Sequence, residues 1–314
     1  MRKALALLLA LGGAAPAQAW VASLTQDREG LSIKRPGGSK LSYYFSAPDK
    51  KPFSLLLYLG GSGCQSEEGF MEYFAPFVEL GFGVMMSEKR GVKKDDSGKV
   101  CSKTYLKTND RQQRIADAKL LLSQGKDLFP DWNGKLVVVG ASEGGGLAPE
   151  VGLSYKGTKA VISLAGGGWP QGQESKKLRE KELVVSGASP EKIQDELADL
   201  DRQFEEIRLD PTGSKSWSGK GNTYKRWASY LWYSPLDFLE KLKVPIYVAQ
   251  GTTDVSVPVE SSDAIRDRFK ALGKQNLTYW RYEGLDHGWA DAKGVHQTQK
   301  IIGDLLEWLR PFAE

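Results

Sequence analysis

Apolar residues in this chain recur with two alternating periods. Short runs rich in β-branched, aromatic and other apolar residues predict strands at Leu31 to Lys34, Leu41 to Ser46, Phe53 to Leu59 and Gly83 to Ser87. Further runs do so at Leu136 to Gly140, Ala160 to Leu164, Val244 to Gln250 and Leu277 to Tyr282. Between them the apolar positions move to helical spacing. Glu67 to Leu80 carries Phe70, Tyr73, Phe74, Phe77 and Val78 on one face. Asp110 to Leu122 reads as a helix with Asn109 as its cap, and Ser261 to Leu272 and Thr298 to Leu309 as later helices. The first two strands read as an antiparallel pair. The rest are separated by helices, which predicts an α/β fold with a mostly parallel sheet covered on both faces.

One stretch breaks the alternation. From about residue 169 to 233 no strand pattern occurs. Ser189-Pro190 has the form of a helix start, a cap residue followed by proline at the first helical position. Ile193, Leu197, Leu200, Phe204 and Ile207 then form one apolar stripe among charges. Trp217, Tyr224, Trp227, Tyr230, Trp232 and Tyr233 come after it. This predicts a helical insertion over the carboxyl end of the sheet, either as a substrate-facing cap or as ordinary packing helices.

Composition narrows the class. The chain has 314 residues, 40% hydrophobic and 26% charged, as a soluble globular protein would. The formal charge of +4 is too small a bias to imply nucleic acid or a membrane surface as partner. Arg2 and Lys3, an apolar Ala4 to Leu11 and the small-x-small Ala17-Gln18-Ala19 predict a cleaved export signal at residues 1–19, with the mature domain starting at Trp20. No other segment is long and apolar enough to cross a membrane. The expected location is therefore secreted or periplasmic. Export favours a disulfide between the two cysteines, Cys64 and Cys101. Two cysteines and two histidines, widely scattered and without HExxH or CxxC, give no metal site.

The chemistry centres on the strand Leu136 to Gly140 and the turn at its end, Gly140-Ala141-Ser142-Glu143-Gly144. A G-x-S-x-G turn between strand and helix exposes the serine oxygen at the end of a sheet. A nucleophilic serine needs a base and a group to orient that base. The base is His287, in a glycine-containing loop just past a strand, or His296, near the last helix; the loop position favours His287. The acid is best supplied by Asp254, just after the strand ending Gln250-Gly251. Asp286 adjoins His287, where neighbouring side chains of an extended segment point apart. Asp237 reads as part of a helix start. Oxyanion donors would be the N–H of Glu143 and that of Gly61 or Ser62, in the glycine loop Gly60-Gly61-Ser62-Gly63.

These pieces in this order resemble the α/β-hydrolase superfamily. The carriers are Gly60 to Gly63, Gly140 to Gly144, Gly251-Thr252-Thr253-Asp254 with Val257-Pro258, and Asp286-His287-Gly288. Glu88-Lys89-Arg90-Gly91 looks like the Arg-Gly turn of that superfamily. The acid and histidine loops look most like the dienelactone hydrolase and prolyl oligopeptidase branch. The glycine loop often begins with histidine in the superfamily, and here that place is Gly60. The resemblance implies a serine hydrolase without a cofactor, acting on a small-molecule ester or a short peptide. The catalytic residues would be Ser142, Asp254 and His287.

Overall fold

The computed structural model describes residues 31–218 and 222–313. The expected export signal at residues 1–19 lies outside them. The strands are β1 Leu31–Lys34, β2 Lys40–Ser46, β3 Phe53–Leu59, β4 Phe82–Ser87, β5 Trp132–Ala141, β6 Thr158–Leu164, β7 Ile246–Gly251 and β8 Leu277–Tyr282. The α-helices are α1 Ala75–Leu80, α2 Lys103–Thr108, α3 Arg111–Leu128, α4 Glu143–Ser154, α5 Gln171–Val185, α6 Pro190–Leu209, α7 Tyr224–Tyr230, α8 Leu236–Leu239, α9 Val259–Ala271 and α10 Thr298–Leu309.

The eight strands form one sheet in the order β1-β2-β4-β3-β5-β6-β7-β8. The β1–β2 and β2–β4 pairs are antiparallel, and all later pairs are parallel. The central register aligns Leu57 with Val138, Val138 with Val161, and Val161 with Ile246. Every position of β3 and β7 is buried, as a strand covered on both faces requires. Alternate side chains enter opposite layers. Leu55, Leu57, Val138, Val161 and Val248 pack against Ile115, Leu121, Leu147, Ile265 and Phe269 of α3, α4 and α9. Leu56, Tyr58, Val137, Val139 and Tyr247 pack against Phe77, Ile301, Leu305 and Leu309 of α1 and α10. Among its described residues, the segment between β6 and β7 contains α5 to α8 and no strand; Phe204, Ile207, Tyr224 and Leu231 give it a small core of its own.

Three details differ from the sequence pattern. The helix expected over Glu67 to Leu80 starts as a 3-10 turn at Glu68–Phe74 and becomes α-helical only in α1, where Pro76 sits in the first turn. The cap of α3 is Asp110, whose side chain accepts from the Gln113 N–H (2.7 Å), not Asn109. Asn109 is instead buried, donating to the Tyr105 hydroxyl at 2.8 Å. And α5, too charged to show an apolar stripe, is a full helix.

Candidate active site

Ser142 occupies the single residue between β5 and α4. Its backbone is left-handed, with φ 54° and ψ −122°. Such a conformation costs a non-glycine residue about 1–3 kcal/mol and needs support from its surroundings. The Ser142 N–H donates to the Leu164 carbonyl at 2.8 Å, and the Gly146 N–H donates to the Ser142 carbonyl at 3.2 Å. The flanking glycines are steric necessities. A Cβ on Gly140 would overlap the Gly144 backbone, and one on Gly144 would overlap the carbonyls of Leu59 and Gly60. The G-x-S-x-G spacing is thus the local condition for a turn this tight.

Two further loops meet Ser142 at the carboxyl edge of the sheet. His287 comes after β8, and its Nε2 lies 3.0 Å from Ser142 Oγ. Its Nδ1 lies 2.7 Å from Asp254 Oδ2, in the loop after β7. Asp254 is buried and fully engaged: Oδ2 also accepts from Gln250 Nε2 (2.8 Å), and Oδ1 accepts from the N–H groups of Ser256 (2.7 Å) and Val257 (2.9 Å). Backbone bonds from Thr252 to Tyr282 and from Thr253 to Leu285 tie the two loops together. Asp286 does not hold the histidine. Its Oδ1 accepts from the N–H groups of Gly288 and Ala290, both at 2.8 Å, and so shapes the histidine loop. His296 is outside the cluster, exposed, with Nδ1 3.0 Å from the Gly288 carbonyl. Asp237 is exposed on α8 and accepts from Ser234.

The glycine loop after β3 lies against the serine. A Cβ on Gly61 would stand 3.3 Å from Ser142 Cβ and 3.8 Å from its Oγ. Behind this loop sits a buried ionic cluster. Arg114 Nη2 donates to the Gly60 carbonyl (2.6 Å), and Lys89 Nζ donates to the Gly61 carbonyl (3.2 Å). Lys89 pairs with Glu67 at 2.5 Å, and both side chains are buried. A Cβ on Gly60 would overlap the Glu67 carboxylate. The space beside Gly60 is therefore filled by the Glu67 carboxylate, paired with Lys89, and only glycine leaves room for it. Cys64, next in the chain, is bonded to Cys101.

Glu143, the first residue of α4, joins the same cluster. Its carboxylate accepts from Arg114 Nη1 (2.5 Å), Tyr230 Oη (2.8 Å) and Arg226 of α7. Burial alone would raise this carboxyl, but the adjacent Arg226 and Arg114 outweigh it and hold the pKa at about 2. Arg226 also lies over the rings of Trp227 and Tyr230, at 4.6 and 4.9 Å. On the opposite side, Glu174 of α5 is buried near Asp254. Burial raises its pKa to about 8, with the Asp254 charge adding to the rise and the Ser261 hydrogen bond opposing it. Ser261 Oγ donates to Glu174 Oε1 (2.6 Å) and accepts from the Gly168 and Trp169 N–H groups (2.8 and 2.9 Å).

The arrangement brings together Ser142, His287, Asp254, Gly61 and Glu143. Sequence reasoning gave no part in the site to Arg114, Arg226, Glu67 or Glu174. Tyr230 carried a signal only as one of the insertion aromatics, and Lys89 only inside Glu88-Lys89-Arg90-Gly91. Among the described residues, no three His, Cys, Asp or Glu side chains stand together as a metal site would require. Nor is any helix among them long and apolar enough to cross a membrane.

No protein-family model matches the sequence, and no curated protein matches it. Solved structures do match in shape. Est1E from Butyrivibrio proteoclasticus with bound ferulic acid is 16% identical, at TM-score 0.61, over 89% of this chain and 97% of that one. The Pyrococcus furiosus esterase Pf2001 is 15% identical, at TM-score 0.58, over 90% of this chain and 89% of that one. The acylaminoacyl peptidase of Pyrococcus horikoshii is 14% identical, at TM-score 0.59, over 89% of this chain and 40% of that one. The chain has the α/β-hydrolase fold. Its neighbours are consistent with the dienelactone hydrolase and prolyl oligopeptidase-like branch expected from the sequence.

Proposed function

We propose that this α/β-hydrolase-fold chain is an exported serine hydrolase cleaving carboxylic esters through Ser142, His287 and Asp254. The observation that carries the reading is the continuous line of contacts, Ser142 Oγ to His287 Nε2 at 3.0 Å and His287 Nδ1 to Asp254 Oδ2 at 2.7 Å. Ser142 Oγ attacks the ester carbonyl and passes its proton to Nε2. Asp254 keeps the Nδ1 proton in place and balances the imidazolium. The N–H groups of Glu143 and of Gly61 or Ser62 receive the oxyanion. On collapse, the leaving alkoxide takes the proton from Nε2. Water, deprotonated by His287, then attacks the acyl-enzyme and releases the acid with Ser142 regenerated.

The esterases among the structural neighbours support an ester over other carbonyl substrates. The acylaminoacyl peptidase among them keeps a short peptide as the second reading. Export rests on residues 1–19, and the Cys64–Cys101 disulfide agrees with an oxidising compartment. Purified protein is assayed with a nitrophenyl ester beside a peptide anilide, and labelled with a fluorophosphonate. The ester is expected to turn over faster, with the label on Ser142. Ser142→Ala should lose both label and turnover, to at most a residual rate from the oxyanion donors. An unlabelled, inactive wild-type chain would identify a non-catalytic scaffold, and faster anilide cleavage a peptidase.

A further inference from the structure

We propose that Arg114 is a positioning residue that sets the oxyanion donors, holding both halves of the oxyanion hole on one guanidinium. The proposal rests on the reading of Ser142 as the nucleophile. A trans peptide unit points its C=O and its N–H in opposite directions. The Gly60 carbonyl shares its unit with the Gly61 N–H, and the Gly61 carbonyl shares its unit with the Ser62 N–H. Arg114 Nη2 takes the Gly60 carbonyl at 2.6 Å. Lys89 Nζ takes the Gly61 carbonyl at 3.2 Å, with Arg114 Nη1 also reaching it at 3.5 Å. Both carbonyls are drawn toward buried cations behind the loop, so both N–H groups turn to the other side. A cation on the carbonyl oxygen also polarises the peptide unit and makes its N–H a stronger donor.

The second half of the hole is the Glu143 N–H, which as the first of α4 has no partner within the helix. The Glu143 carboxylate sits on Arg114 Nη1 at 2.5 Å. One planar, forked cation therefore fixes the spacing between donors from two distant segments, which a point charge cannot reproduce. Arg226 holds the other Glu143 oxygen, so the charge of Glu143 has a partner without Arg114. The hydrogen bonds of Arg114 go to two carbonyls and a carboxylate, and its effect on the reaction runs through the donors it orients.

The experiment compares kcat and KM for a nitrophenyl ester, the affinity for a trifluoromethyl ketone, and Tm in the full chain and its variants. Arg114→Gln is expected to lower kcat by about a hundredfold, comparable to loss of one oxyanion donor, with KM within about threefold. Ketone affinity should fall by the same factor, because its hemiketal oxyanion uses the same donors. Arg226→Gln removes the other Glu143 partner without touching the Gly60 or Gly61 carbonyl, so it should lower kcat by clearly less than Arg114→Gln does. If Arg114→Gln does not fold, Arg114→Lys keeps the charge beside Glu143 and should still lose about tenfold or more in kcat. An Arg114 variant with kcat within about threefold of wild type, a loss carried by KM, or unchanged ketone affinity overturns the proposal. Ser142→Ala separates the two failures. If it is inactive while the Arg114 variants are not, only the role of Arg114 falls; if it retains full turnover, the hydrolase reading falls and this inference with it.

Discussion

At the scale of single residues, the most fully bonded side chain of the site is a carboxylate next to the histidine. Asp254 spends both oxygens on four donors, one of them His287 Nδ1. Replacing it by asparagine substitutes an amide for one accepting oxygen and favours the wrong imidazole tautomer. Asp254→Asn is therefore expected to lower kcat by roughly ten-thousandfold with little change in shape. Stopped-time ester assays and the rate of fluorophosphonate labelling check this, and wild-type values in both would remove Asp254 from the proposed mechanism. Ser142, Asp254 and His287 could be singled out in the sequence because each comes after a strand and near a glycine, Gly140 and Gly144 for Ser142, Gly251 for Asp254, and Gly284 and Gly288 for His287. Arg114 and Glu143 were not legible as a pair. Their contact joins positions 29 residues apart, and Arg114 reaches Gly60 across 54. Such pairings depend on how α3 docks on the sheet, which local pattern does not encode.

At the scale of elements, legibility tracked hydrophobic period. The fully buried β3 and β7 and the striped α6 stood out. In α5, Gln171 to Lys181 is almost entirely polar, and the buried positions Gly172, Glu174 and Leu183 make no apolar stripe. Yet α5 docks through one of its acidic residues, Glu174, which accepts from Ser261. That docking has a pH dependence of definite sign. The unfolded chain gives up the Glu174 proton near the usual 4.5, while the folded chain keeps it to about 8. The folded state binds the extra proton between those values, so stability is full below about 4.5, falls as pH rises through the window, and levels off above about 8. Glu174→Gln keeps an acceptor for Ser261 and cannot ionise. Thermal melts should show the variant close to wild type near pH 4.5 and more stable than it near pH 8. A variant that loses Tm with rising pH as steeply as wild type would assign the dependence to another group.

At the scale of the whole molecule, the sheet brings four loops to one edge. The glycine loop after β3, the serine turn after β5, the acid loop after β7 and the histidine loop after β8 all leave the carboxyl ends of parallel strands, where such sheets place their ligands. Three of these loops are anchored by the strands on either side. The glycine loop has a further anchor, the Cys64–Cys101 disulfide, which closes a separation of 37 residues around β4 and α1. Next to it, the Ser66 N–H donates to the Asp96 carbonyl at 2.8 Å. The cross-link thus holds the exit of the glycine loop against the long connection after β4. In the chain-entropy model a loop of this length is worth about 4 kcal/mol, by restricting the unfolded chain. For a domain of this size that corresponds to roughly 6 °C in Tm. Cys64→Ala with Cys101→Ala is expected to lower Tm by that amount. Because Cys64 directly adjoins the glycine loop, the loss should extend to kcat, while Lys89 and Arg114 still hold the loop from behind and limit it to about tenfold. Calorimetry and ester kinetics on the double variant check both parts. An unchanged Tm would mean that the unfolded chain between Cys64 and Cys101 is restricted as much without the bond as with it, and an unchanged kcat that the loop is set by its cations alone.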